Sequence, residues 1–360
     1  MNIDILVDFE AFWTNLAQDV SAAQRYVFVQ TFSFEGDRVG KMLAALLAAS
    51  DARDRRVLVD SFTRIVLSDR FVYAPANWFD AELRQEAKQT KALHTGLQNA
   101  GVQTRHGSPF GVSLRQCLTR NHKKLIVVDD RVAYIGGMNF SEHNAAWHDM
   151  MLRIEDREVA KFFRTDFLAS WDGKACAATK CFDGMELHTL DGCANPGAFA
   201  KVLDMIDHAE RSIFIESPYV TYPFYDCLRD ARRRGVSVTI VTPQTNNWSY
   251  FADYARWESA RCDIDLRLYK NGMSHLKAML VDDRYLIAGS SNFDLLSYRI
   301  YQEILAIITD PEVIATFRKK VLSEDLKGSE RAEEQATHRV TGWSLLRLKL
   351  LNKGLTMLLD

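Results

Sequence analysis

Two histidine–lysine pairs with identical spacing are the residues of this chain best suited to chemistry. His122 and Lys124 stand ahead of Asp129 and are followed by Gly136-Gly137-Met138-Asn139. His275 and Lys277 stand ahead of Asp282 and are followed by Gly289-Ser290-Ser291-Asn292. Both copies read His-x-Lys-x4-Asp-x6-Gly-[Gly/Ser]-x-Asn. One copy alone reads as structure. Two copies with the same spacing point to an internal duplication that kept polar residues on otherwise apolar segments.

The residue types suit transfer of a phosphoryl-type group. Lys124 and Lys277 are fixed cations for phosphate oxygens and for charge that develops during transfer. Asn139 and Asn292 add neutral donors, with Ser290 assisting. Two histidines permit a division of labour: one, neutral, attacks phosphorus, and the other gives a proton to the departing alcohol and takes one from the incoming group. This arrangement calls for no metal and no cofactor. Asp149 lies 27 residues after His122, and Glu303 lies 28 after His275. Each is expected to return to its own histidine and to hold Nδ1, leaving Nε2 to react. Asp129 and Asp282 sit just past the apolar runs and are read as architectural pins.

The elements that must position these residues follow from periodicity. Leu125 to Val128 and Ala278 to Val281 are short apolar runs, read as buried strands. A period of two puts His and Lys of each copy on one face and the residue between them on the other. Ala11–Gln24 reads as an amphipathic helix, Tyr26–Phe32 as a strand, a helix opens after Asp37 as its N-cap, and Arg56–Asp60 is a further strand. This alternation predicts an α/β fold with helices on both faces of a sheet. The second half repeats the plan: Arg211–Glu216 matches Arg25–Gln30 at an offset of 186, whereas the motif histidines are offset by 153. Most of the 33 extra residues of the first half are placed in an excursion from residue 64 that is rich in aromatic and basic side chains. That excursion is read either as a self-packed surface segment or as a loop facing substrate or membrane. The domains expected are a first lobe over residues 1–171, a connection over 172–195, a second lobe over 196–323, and a charged linker with a C-terminal helix over 324–360.

With 360 residues and a net charge of −2, the chain is large enough for a sizeable core and lacks the overall basic character of a dedicated nucleic-acid binder. The six cysteines are scattered, and Cys176, Cys181 and Cys193 have no second paired half to complete a zinc motif. The N-terminus shows no signal-peptide pattern, and no run reaches the roughly 20 apolar residues of a spanning helix. Residues 343–359 combine Leu and Met with Arg347, Lys349 and Lys353. A helix there, about 25 Å long, suits the membrane interface, docking on the body or a partner chain being the other reading. The expected location is therefore the cytoplasmic side, peripheral on the membrane. The oligomeric state is left open.

The duplicated His-x-Lys-x4-Asp motif resembles that of the phospholipase D superfamily, and the resemblance covers nearly the whole chain. Within it, Arg120–Lys124, Tyr134–Asn139, Trp147-His148-Asp149 and Ser290–Asp294 are similar to bacterial cardiolipin synthases. Leu295–Arg299 and Tyr301-Gln302-Glu303 depart from the pattern of that group. The resemblance implies two similar mixed-sheet lobes flanked by helices, related by a pseudo-twofold axis, with one active site at the lobe interface. It implies a phospho-histidine intermediate with His122 as nucleophile and His275 as acid and base. It implies a phosphatidyltransferase acting on a phospholipid such as phosphatidylglycerol. A phospholipid hydrolase and a nuclease share these residues and are the rival readings; no nucleic-acid partner is expected.

Overall fold

The strands are apolar on both faces because both faces are covered. In the computed structural model, which describes residues 1–111 and 117–332, Tyr26 and Phe28 point into one core cluster while Val27 and Val29 point into another. Leu125 and Val127 divide from Ile126 and Val128 in the same way. Such alternation of two apolar sets is what a sheet buried on both sides requires.

The first half forms a seven-stranded sheet in the order Asn2–Val7, Met150–Glu155, Val132–Gly136, Leu125–Val128, Tyr26–Thr31, Asp54–Asp60, Gln103–Gly107. The second forms a nine-stranded sheet in the order Ala178–Phe182, Met185–Thr189, Ile304–Ile308, Tyr285–Gly289, Ala278–Val281, Ser212–Glu216, Ser237–Pro243, Asp265–Tyr269, Ser329–Arg331. From the strand after each acid to the last parallel strand, six strands follow the same order in both sheets. In each, the central strand pairs parallel on one side and antiparallel with the motif strand on the other. The mixed α/β architecture with flanking helices is thus the expected one.

One core joins the halves. It holds Leu125 and Val127 of the first sheet and Ala278 and Leu280 of the second. Phe163 and Phe167 of helix Arg157–Trp171, and Val313 and Phe317 from Pro311–Phe317, fill the space between. Separate cores cover the outer faces of the two sheets.

Several local expectations are met. The Asp37 side chain accepts from the Gly40 N–H and caps helix Arg38–Ala49. Asp129 and Asp282 are architectural in the same manner. Asp129 accepts from the backbone N–H groups of Gln24, Arg25 and Tyr26, and Asp282 from those of Glu210, Arg211 and Ser212. Each has φ of 53°, which Asp tolerates better than most side chains. Each aspartate therefore fixes the entry of the strand beside its motif, where sequence reading placed it on its own strand.

Two boundaries differ from expectation. Residues 178–189, read as connection, form a hairpin that extends the second sheet, its inner strand pairing with Ile304–Ile308. The small and polar residues there disguised two strands of which only the inner one is buried. Residues 324–331, read as exposed linker, form a short helix and an edge strand paired with Asp265–Tyr269. Burial of Asp325 is what ties this charged segment down. The amphipathic segment 343–359 lies outside the described residues.

The extra length of the first half falls largely between strands Asp54–Asp60 and Gln103–Gly107, as placed. It builds a small hairpin, Val66–Leu67 with Arg70–Phe71, and helix Ala81–Asn99. Phe71, Tyr73, Trp78 and Phe79 are exposed there, Phe79 at 92%.

Candidate active site

The histidines of the two motifs face one cavity of about 240 Å³. His122 and Asn139 line it from the first half, and His275 and Asn292 from the second. The ladder of each motif strand begins only at Leu125 and Ala278. The alternation nevertheless extends back to the motif, since Lys123 turns away to an ion pair with Asp166 at 2.6 Å. Lys124 and Lys277 turn inward but stand behind the histidines, 1% and 2% exposed. The Lys124 ammonium donates to the carbonyl of His122 at 2.8 Å, and that of Lys277 to the carbonyl of His275. Each lysine thus braces its histidine while adding positive charge behind the cavity floor.

The acids do not return to their own histidines. Glu303 Oε1 lies 2.7 Å from His122 Nδ1, and Asp149 Oδ2 lies 2.7 Å from His275 Nδ1. The expected pairing is therefore exchanged between the halves. The reason is topological. His122 N–H donates to the carbonyl of Gln302, and Gln302 N–H to that of Arg120. His275 N–H donates to the carbonyl of His148, and His148 N–H to that of Met273. These two short parallel bridges lay each acid-bearing segment beside the other half's motif. Spacing along the chain located both acids but carries no signal of the partner.

The surroundings of the acids explain the Gly/Ser alternation in the motif. A Cβ on Gly137 would meet Asp149 Oδ1 at 2.2 Å, so only glycine leaves room for that carboxylate. At the matching place Ser290 donates its hydroxyl to Glu303 Oε2 at 2.5 Å, and Ser297 donates to Oε1 at 3.0 Å. Asn139 Oδ1 accepts from the Thr31 hydroxyl and the Ser33 N–H, both at 3.2 Å. Its NH2 is left as a donor toward the cavity.

Burial, then the charges of Lys124 and Lys277, hold His122 neutral, well below the usual histidine range. Burial and Lys277 bring His275 down to about 3. Burial lowers Lys124 to about 7 and Lys277 to about 8. The acids split. Burial pushes Glu303 up to about 8 against the pull of Lys124. Burial also opposes the charge of Asp149, but Lys277 and His275 outweigh it and keep that carboxyl below its ordinary value. An ionised Asp149 favours a proton on His275, especially once an anionic phosphodiester enters beside it.

The lysine values carry a pH prediction. Both ammonium charges are present below about 7 and are lost as pH rises past about 8, so attraction for an anionic phosphodiester fades in that direction. kcat/KM for a soluble chromogenic phosphodiester is expected to fall across about pH 7 to 9, mainly through KM. A profile that rises over this window contradicts the charge assignment.

Residues not proposed as site residues from the sequence complete the walls. Phe32 packs edge-on to His122 at 5.0 Å, with Tyr301 at 5.6 Å. Trp147 lies 4.8 Å from His275, and Tyr219 lies 6.4 Å away. Val66 and Asp69 of the excursion, and Trp248 and Tyr250 opposite, form the mouth. An aromatic collar limits water around two neutral imidazoles. Only the position of Trp147 and Tyr301 beside the acids was available as a signal for them.

Known proteins share both sequence and fold with this chain. A family model described as cardiolipin synthase, PLD-like domain, matches residues 16–171 and 202–324. The major cardiolipin synthase ClsA of Bacillus subtilis is 25% identical over 358 residues, covering 89% of this chain and 69% of that protein. Cardiolipin synthase B of Shigella flexneri is 26% identical over 379 residues, covering 96% and 85%. The crystal structure of phosphatidylserine synthase from Haemophilus influenzae aligns over 99% of this chain and 94% of its own, with a TM-score of 0.71 at 15% identity, a likeness of fold.

Proposed function

From its place in the cardiolipin synthase, PLD-like domain family, to which this chain belongs, we infer that it moves a phosphatidyl group from phosphatidylglycerol to the hydroxyl of a second phosphatidylglycerol. The observation that carries this reading is the pair of imidazoles facing one cavity, each held at Nδ1 by the acid of the opposite half. As the anionic phosphodiester enters, His275 takes up a proton from solvent beside ionised Asp149. His122 Nε2 then attacks phosphorus, the bond from phosphorus to the glycerol oxygen breaks, and protonated His275 gives its proton to the departing glycerol. His275 then takes the proton of the incoming hydroxyl, which attacks phosphorus as the phosphorus–nitrogen bond breaks. Cardiolipin and one glycerol are formed, and both histidines return to their starting states. Asn139 and Asn292 donate to the phosphoryl oxygens, and Lys124 and Lys277 offset the charge gathered there.

The intermediate is tested by offering ethanol to the enzyme on phosphatidylglycerol vesicles. Phosphatidylethanol is the expected product, since any small alcohol that reaches the second step captures the same phosphatidyl group. Phosphatidate alone would make the protein a hydrolase.

Peripheral membrane residence is supported by the exposed aromatics of the excursion and by the leucine-rich basic segment 343–359. Among the described residues no helix is long and apolar enough to cross a membrane. Val66 and Asp69 put the excursion at the mouth of the cavity, where a lipid must leave the bilayer. Replacing Trp78 and Phe79 together by Ser is expected to weaken vesicle binding about 10-fold or more, with activity on a soluble phosphodiester kept. Deleting residues 343–360 is expected to act in the same direction. Unchanged sedimentation with vesicles in both variants would return these segments to packing roles.

A further inference from the structure

Behind the acid Asp149, and outside the reaction cavity, three buried groups from three separate elements converge. His148 ends the segment that enters strand Met150–Glu155, Glu216 ends strand Ser212–Glu216, and Asp325 lies in helix Ser323–Lys327. Their ligand atoms all lie within 4.8 Å of one another. Glu216 is fully buried, yet its Oε2 has no hydrogen-bond partner, and neither has Oδ2 of buried Asp325. Two carboxylates facing each other in a buried place are unfavourable unless a cation or a proton lies between them.

The remaining atoms of the cluster are already held as outer partners hold metal ligands. His148 Nδ1 lies 2.7 Å from Asp8 Oδ1. Nε2 faces the cluster, 3.0 Å from Asp325 Oδ1, the carboxylate–histidine arrangement common around bound metals, in which a bound cation would take the place of the Nε2 proton. Tyr269 stacks on the imidazole at 4.8 Å and 12°. The Ser274 hydroxyl donates to Glu216 Oε1 at 2.6 Å, which leaves Oε2 as the free oxygen. The matching position in the first half is a neutral amide: Gln30 donates to Asn121 Oδ1 at 2.7 Å. Among the described residues, only one of the two halves' matching positions thus carries the charged set.

We propose that His148, Glu216 and Asp325 bind a divalent transition-metal cation, of the Zn2+ or Mn2+ type, that clamps the two halves together. One imidazole and two carboxylates suit such ions, whereas Ca2+ and Mg2+ prefer oxygen ligands throughout. The site is structural. It ties the segment that carries Asp149 to the second half, and so fixes the carboxylate that faces His275. Its role is positioning, and no step of the phosphatidyl transfer passes through it.

The test is direct metal binding by the full chain. Protein stripped with a chelator is given Zn2+ or Mn2+, desalted, and analysed for bound metal and for melting temperature. About one equivalent per chain is expected, with Tm raised by about 3 °C or more. Glu216→Gln, which keeps the shape and removes the charge, is expected to lose about 10-fold or more in affinity. Asp325→Asn serves the same comparison should the first variant fold poorly. Wild-type protein that retains well under one equivalent and melts unchanged holds a proton between the carboxylates, which overturns the proposal. So does undiminished binding in both variants.

Discussion

His122→Ala is expected to abolish the covalent phosphatidyl-enzyme and to lower turnover by about 10⁴-fold or more, while His275→Ala still accumulates it on a substrate whose leaving group needs no proton. The reasoning rests on the environments of the two rings. Both are neutral when the cavity is free, so either has a lone pair. They differ in what stands behind them. Asp149 stays ionised and supports a positive His275, which suits the ring that must carry a proton to the leaving group. Glu303 is pushed up to about 8 and gives His122 less support as a cation, which suits a ring that attacks as a neutral base. With a p-nitrophenyl ester the first step needs no acid, so His275→Ala forms the adduct and stalls at its breakdown. Acid-quenched protein examined by intact mass reads the difference. An adduct in His122→Ala and none in His275→Ala would reverse the roles.

Glu303→Gln is expected to slow formation of the adduct, and Asp149→Asn its breakdown, each by about 10²- to 10⁴-fold. This pairing crosses the halves. Glu303 lies in the second repeat, yet its substitution should reproduce the defect of His122, because Oε1 holds His122 Nδ1. An amide in that place can present its NH2 to Nδ1 and stabilise the wrong tautomer. The two acids act through the histidines and are positioning residues, so the informative reading is the split between the two half-reactions. A purely structural role would slow both steps together and lower Tm. If Glu303→Gln impaired only breakdown, the acids would serve the histidines of their own repeats.

Much of the site was legible because duplication makes a pattern testable against itself. Equal spacing singled out the histidines and asparagines that line the cavity and the two acids that contact the histidines, and the apolar runs after the lysines located the motif strands. The partner of each acid was not legible. It depends on the bridges at Asn121 with Gln302 and His148 with Ser274, which are contacts between distant segments with no local signature. The depth of the lysines, which stand behind the histidine backbone, was not legible, because alternation gives a face and says nothing of depth. The hairpin over 178–189 was hidden by its exposed outer strand, and residues 324–331 by their charge. In both, pairing at a sheet edge overrode composition.

The most direct measurement is mass spectrometry of the lipids in phosphatidylglycerol vesicles before and after incubation with the purified protein. The account predicts cardiolipin, released glycerol in equal amount, and loss of two phosphatidylglycerols for each cardiolipin formed, all absent with His122→Ala. Phosphatidylglycerol left intact by the wild-type protein, with its cavity and histidines in place, would contradict it.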